Sequence, residues 1–259
     1  MTTMRFVAIL FAAAFAVVQV GAAQAEIKKE WVEYSHGDAK LKGYLVYDDA
    51  ITGKRPAVLM IHARQGMTAV TMAQAEIWAK LGYVSFAADF FGYGQGVLPK
   101  DVPEMQAHTA IYNKDRALMR ARAQAGFDTL IKNPRVDASK VALVGYCFGG
   151  TVGVEFGATG APLVGIIAIH GSFHDHPAGW AQNVKGKMLI LHGAEDVPYP
   201  LTQVDLVIKE LRTAKVPFQL EVYSGTGHGY STPKNKDEER ANAHGFRDSL
   251  ARTSISEAQ

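Results

Sequence analysis

The sequence predicts an α/β chain with a mainly parallel central sheet, an N-terminal antiparallel hairpin and helices on both faces. Three observations predict it. Short continuous apolar runs recur along the chain, as strands buried on both faces of a parallel sheet require. Segments with helical periodicity lie between several of them. Ahead of them all, two segments alternate apolar and polar residues, as half-exposed antiparallel strands do.

In chain order, residues 1–25 come first and read as a secretory signal peptide: Arg5 supplies positive charge, "FVAILFAAAFAVV" is apolar throughout, and "AQA" ends in small residues. Cleavage after Ala25 would start the mature chain at Glu26, in the periplasm or outside the cell. The alternative is an uncleaved anchor, since the apolar stretch approaches the roughly 18 residues that span a bilayer. The small-residue ending and the polar "EIKKEW" favour cleavage. No later segment is long and apolar enough to cross a membrane, so no membrane contact is expected after cleavage. Residues 26–259 suit one α/β domain, and a monomer is expected.

The hairpin is "EWVEYS" and "KLKGYLVYDD", joined by a glycine-containing turn. The buried strands are "PAVLMIH", "YVSFAAD", "KVALVG", "LVGIIAIH", "KMLILHG" and "FQLEVY". In the helical stretch "TMAQAEIWAKLG", Ala73, Ile77 and Leu81 share a face with Trp78 beside them, and Gly82 is placed to end the helix. "TVGVEFGA" begins another helix. "TQVDLVIKELRTAK" puts Val204, Val207, Ile208 and Leu211 on one stripe, with Thr202 and Asp205 spaced as a capping box. The final "RTSISEAQ" reads as a frayed tail. This β–α alternation predicts a doubly wound sheet, with ligands bound beyond the carboxyl ends of its strands. Lysine plus arginine number 27 against 25 acidic residues, with no basic run, so nucleic acid is not an expected partner.

The chain has one cysteine, so no intrachain disulfide can form and the fold must rest on its core. That cysteine lies in "GYCFGG", between the strand "KVALVG" and the helix beginning "TVGVEFGA". Gly145-Tyr146-Cys147-Phe148-Gly149 has the form of a nucleophile elbow. Its glycines permit a sharp strand-to-helix turn that pushes residue 147 out over the sheet edge. A helix N-terminus favours negative charge there, and hence the thiolate.

A nucleophile needs a base and an orienting acid, supplied in this topology from later loops in the order nucleophile, acid, base. "HGAEDVPYP" places Asp196 after one strand, and "SGTGHGYS" places His228 between glycines after the next. Glu195 is the alternative acid. "HDH", His174 to His176, lacks the further ligands of a zinc pattern and reads as a pocket-rim loop, so neither metal nor cofactor is expected. His62, His170 and His192 end strands near the same edge, where they line the pocket or satisfy backbone groups.

As an ordered set, "GYCFGG", "LHGAEDVPYP" and "GTGHGY", with "GKRPAVLMIH" and "LGYVSFAADFFG" upstream, resemble the dienelactone hydrolase family. The resemblance covers nearly all of residues 26–259. It implies an α/β-hydrolase fold and a Cys147–His228–Asp196 triad acting on small-molecule esters or lactones. The chain departs from the family pattern at two positions. Where members usually carry a Glu interacting with the nucleophilic Cys, Ala63 follows His62. Where members that hydrolyse dienelactone hold the substrate carboxylate with an Arg, this chain has Tyr93. Arg64 is either a replacement for that positive charge or a solvated loop residue, and Tyr93 and Tyr146 are candidate substrate contacts.

On this reading the Cys147 thiolate attacks the carbonyl and water hydrolyses the thioester. The backbone N–H groups of Phe148 and Arg64 hold the oxyanion. The alternative is a non-catalytic binding protein that kept the fold, favoured by the missing Glu and opposed by the ordered triad.

Overall fold

The computed structural model describes residues 26–92, 98–173 and 176–231. The expectations for residues 1–25, Tyr93, His174 and the C-terminal tail fall outside the described residues.

The hairpin comprises β1 (Ile27–His36) and β2 (Ala39–Asp48), paired antiparallel from Ile27 opposite Asp48 to His36 opposite Ala39. There follow β3 (Arg55–Ile61), α1 (Ala69–Lys80), β4 (Val84–Ala88), α2 (Val102–Lys114) and α3 (Arg116–Ile131). The remainder is β5 (Val136–Tyr146), α4 (Phe148–Gly157), β6 (Gly165–Ile169), β7 (Lys187–Gly193), α5 (Leu201–Thr213) and β8 (Phe218–Tyr223). The strands form a single sheet in the order β1-β2-β4-β3-β5-β6-β7-β8. β2 meets β4 antiparallel, and every pair from β4 to β8 is parallel.

Period-two alternation divides the core. Leu59, Ile61, Phe86, Leu143 and Ile190 face one side with α3, α4 and α5, whereas Val58, Met60, Val144 and Leu191 face the other with Ala75, Trp78 and Ala79 of α1. The apolar runs of β3 to β7 are thus buried on both faces.

Three local expectations change. α1 buries Thr71, Gln74, Ala75, Trp78 and Ala79, whereas Ala73 is exposed and Leu81 is 47 % exposed. The bulk of Trp78 sets which side turns inward, and Ala75 and Ala79 allow the helix to lie close to the sheet. Gly82 does follow the helix end, at φ +96°. In α5, Val204, Val207 and Leu211 are buried as the stripe requires, but the helix starts after Pro200 with no side-chain cap, so Thr202 and Asp205 make no capping box. β8 is not buried on both faces: it has only β7 as a neighbour, and Val222 is 42 % exposed.

Two helices extend beyond what the apolar runs indicate. Asp101 accepts from the Glu104 N–H at 2.9 Å to cap α2, and Asp115 accepts from Leu118 at 2.8 Å to cap α3. α3 buries Met119, Ala123, Phe127 and Leu130 at helical spacing despite its interleaved arginines.

Candidate active site

Cys147 joins β5 directly to α4, with φ 52° and ψ −114°. A non-glycine residue in this region is strained and must be held by its surroundings. Its N–H donates to the Ile169 carbonyl at 3.0 Å, and its carbonyl accepts from Gly150 at 2.9 Å. A Cβ on Gly145 would lie 2.0 Å from the Gly149 carbonyl oxygen, and one on Gly149 would lie 2.2 Å from that of Ile61. Strand and helix therefore approach at a separation only glycine permits. The turn leaves Cys147 9 % exposed at the carboxyl edge of the sheet.

The loops after β7 and β8 converge there. Cys147 Sγ lies 3.1 Å from His228 Nε2, and His228 Nδ1 lies 2.9 Å from Asp196 Oδ2. The Glu195 N–H donates to the Thr226 carbonyl at 3.0 Å, tying the two loops together. Asp196 is buried, and its Oδ1 accepts from the Tyr199 N–H at 3.1 Å. Glu195 points outward and is exposed, which separates it from His228. Burial alone would lower the His228 pKa. Hydrogen bonds and negative charge from Asp196 and Cys147 outweigh it and push the group up to about 9. At neutral pH the ring is therefore an imidazolium with both nitrogens protonated.

Phe148 is the first residue of α4, so its N–H has no intrahelical acceptor. Arg64 lies in a turn closed by Gly66 N–H donating to Ala63 at 3.0 Å. The contact of Gly149 with Ile61 and His62 sets that turn beside the elbow. Tyr199, the loop aromatic that sequence reasoning missed, lies with its ring centroid 5.0 Å from that of His228. Its hydroxyl pKa is pushed up by burial and by Cys147, and drawn back by a Ser172 hydrogen bond and by the positive charge of Arg64. The Tyr between two prolines in "VPYP", directly after the acid, was the available signal for Tyr199.

Tyr146 does not join this group, which corrects the expectation that it contacts substrate. It is 1 % exposed and packs with Val144 and Trp78 on the α1 side of the sheet. Strand alternation sends its ring beneath the elbow while Cys147 emerges above it. The strand-end histidines divide between roles. His62 Nε2 accepts from Phe90 N–H at 3.1 Å while its Nδ1 donates to the Ala63 carbonyl at 2.7 Å, and His192 Nε2 donates to the Tyr199 carbonyl at 2.7 Å. These two satisfy backbone groups. His170 instead lies edge-on to His228, with centroids 5.0 Å apart, and its Nε2 is hydrogen-bonded to Ser231 Oγ. One ligand atom from each of Cys147, His170 and His228 lies within 4.8 Å of the others. His176 sits away from the pocket rim, with Nδ1 2.9 Å from the buried Glu155.

Known proteins share this fold. The model of the dienelactone hydrolase family matches residues 41–253. A carboxymethylenebutenolidase homolog from Rattus norvegicus is 25 % identical over 199 residues, covering 76 % of this chain and 78 % of its own. Protein usf from Aquifex pyrophilus is 24 % identical over 213 residues, covering 80 % and 89 %. Among solved structures, a dienelactone hydrolase-like promiscuous phosphotriesterase from metagenomic libraries superposes with TM-score 0.81 at 30 % identity, covering 90 % of this chain and 99 % of that one. The dienelactone hydrolase of Anabaena variabilis, at TM-score 0.62 and 20 % identity over 86 % and 95 % of the chains, shares the fold. With the family model spanning most of the chain and the same sheet in its structural neighbours, this protein belongs to the dienelactone hydrolase family and is a hydrolase of the α/β-hydrolase fold.

Proposed function

We propose that the protein hydrolyses a small carboxylic ester or lactone, with Cys147 as nucleophile, His228 as acid and base, and Asp196 orienting the ring. The observation that carries this reading is the unbroken chain from Cys147 Sγ to His228 at 3.1 Å and from His228 to Asp196 at 2.9 Å. The thiolate attacks the carbonyl carbon, and the resulting oxyanion is held by the Phe148 and Arg64 N–H groups. As the tetrahedral species collapses, protonated His228 Nε2 gives its proton to the leaving oxygen, and a thioester remains on Cys147. The neutral imidazole then takes a proton from water, whose oxygen attacks the thioester. The acid product leaves, and the thiolate–imidazolium pair is restored. The Arg64 side chain supplies positive charge at the pocket rim, where it attracts a substrate carrying an anionic group.

The relative described as a promiscuous phosphotriesterase adds phosphotriesters as a second substrate class. A panel of aryl esters, lactones and aryl phosphotriesters tests both. Cys147→Ala and His228→Ala are each expected to lower turnover about 100- to 10,000-fold, with circular dichroism unchanged. Rates near zero and equal for all three proteins would favour the binding-protein alternative.

Export is part of the same proposal: the mature enzyme acts in the periplasm or outside the cell, as a monomer. Mass spectrometry of secreted material is expected to show a chain beginning at Glu26. An intact Met1 on membrane-bound protein would overturn the localisation.

A further inference from the structure

We propose that Cys147, His170 and His228 form a binding site for one soft divalent cation such as zinc, and that its occupancy reversibly blocks turnover. The donor atoms of the three side chains lie within 4.8 Å of one another, and the sulfur is 3.1 Å from His228 Nε2. Around a tetrahedral zinc, with Zn–S near 2.3 Å and Zn–N near 2.0–2.1 Å, neighbouring ligand atoms stand roughly 3.3–3.6 Å apart. The three side chains reach that spacing by adjustments of up to about 1.5 Å.

Two further features suit a cation. Asp196 engages His228 Nδ1 at 2.9 Å, the arrangement in which a carboxylate orients a metal-ligating imidazole and leaves Nε2 for the ion. His170 is 1 % exposed, its Nε2 is held by Ser231, and its Nδ1 has no hydrogen-bond partner among the described residues. The hydrolytic scheme makes no use of His170, so a second imidazole at this depth beside the nucleophile is left without a role by catalysis alone. One thiolate and two imidazoles form a donor set that selects zinc-like ions over magnesium or calcium. Three protein ligands leave a fourth position for water. The Cys147–His228 pair holds one proton between sulfur and nitrogen. Binding the ion to thiolate and neutral imidazole releases that proton to solvent.

Binding rests on the geometry, whereas the loss of turnover rests also on the assignment of Cys147 and His228 as nucleophile and base. The test uses untagged protein. Zinc is expected to inhibit ester hydrolysis by the wild type, with full recovery on adding a chelator, and to protect Cys147 from iodoacetamide. Cobalt(II) in its place is expected to give a thiolate-to-metal charge-transfer band that Cys147→Ala lacks. For His170→Asn, half-protection of the thiol is expected to need at least about 100-fold more zinc, since loss of an outer partner alone costs up to that much. Half-protection of wild type and His170→Asn at the same zinc concentration would overturn the site, as would a wild-type protein without the cobalt band. Should His170→Asn fail to fold by circular dichroism, cadmium NMR of the wild type decides: one sulfur and two nitrogens support the site, and one sulfur with one nitrogen overturns it. Metal-free turnover that survives in Cys147→Ala would refute the catalytic assignment, while the cobalt band tests the site independently.

Discussion

His228 is under opposed influences whose balance sets how the site works. Burial favours the neutral ring, and the hydrogen bonds and charges of Asp196 and Cys147 reverse that preference, raising the group to about 9. In the proposed scheme the imidazolium protonates the leaving oxygen, so kcat/KM is expected to fall as pH rises through about 9. Asp196→Asn removes one source of negative charge and offers an amide that can stabilise the wrong tautomer. This variant is expected to move the alkaline limb to lower pH and to cut turnover by at least about 100-fold. A pH–rate profile whose alkaline limb stays in place would exclude Asp196 as the charge that sustains the imidazolium.

At the scale of elements, α4 follows Cys147 directly and carries a buried acid near its other end. Glu155 lies 2.8 Å from Arg120, 2.9 Å from His176 and 3.8 Å from Arg116, so one carboxylate joins α4 to α3 and to the segment after β6. Burial would raise its pKa, but the His176 hydrogen bond and charge and the two arginines together hold it below the usual carboxylate range. Glu155→Gln leaves the buried His176 and the partly exposed arginines without their anion and is expected to destabilise the fold by about 1–3 kcal/mol. Because the folded-state pKa is depressed, this contribution is present above the ordinary value of 4.5 and is lost as pH falls through the lowered one. Urea denaturation at neutral and acid pH checks both points: the gap between wild type and variant should close in acid. A variant as stable as wild type at neutral pH would show that the cluster contributes nothing net.

For the whole molecule, His228 couples stability to pH in the opposite sense. Its pKa rises from 6.5 to about 9 on folding, so its stabilising contribution is complete below 6.5 and is lost as pH rises towards 9. The urea midpoint of wild type relative to His228→Gln is expected to shrink across that window, and a constant difference would contradict the raised value. The sequence alone determined whatever depends on short-range pattern. The strands are legible because a run such as "KVALVG" is buried on both faces wherever it lies inside the sheet. The elbow is legible because Gly145, Cys147 and Gly149 act within five residues. The loops bearing Asp196 and His228 are legible because each directly follows a recognisable strand. Only the tertiary structure decided what depends on neighbours distant in sequence. Periodicity alone did not tell whether Ala73 or Ala75 faces the sheet, because the docking of α1 around Trp78 chooses the side. Nor did it tell that Tyr146 turns into the core while Tyr199 reaches His228, because the first follows strand alternation and the second a loop conformation. The close approach of His170 to His228, and of His228 to a sulfur 81 residues earlier, arises where separate strand ends meet. Such distances are set by the packing of the whole sheet, and local periodicity does not encode them.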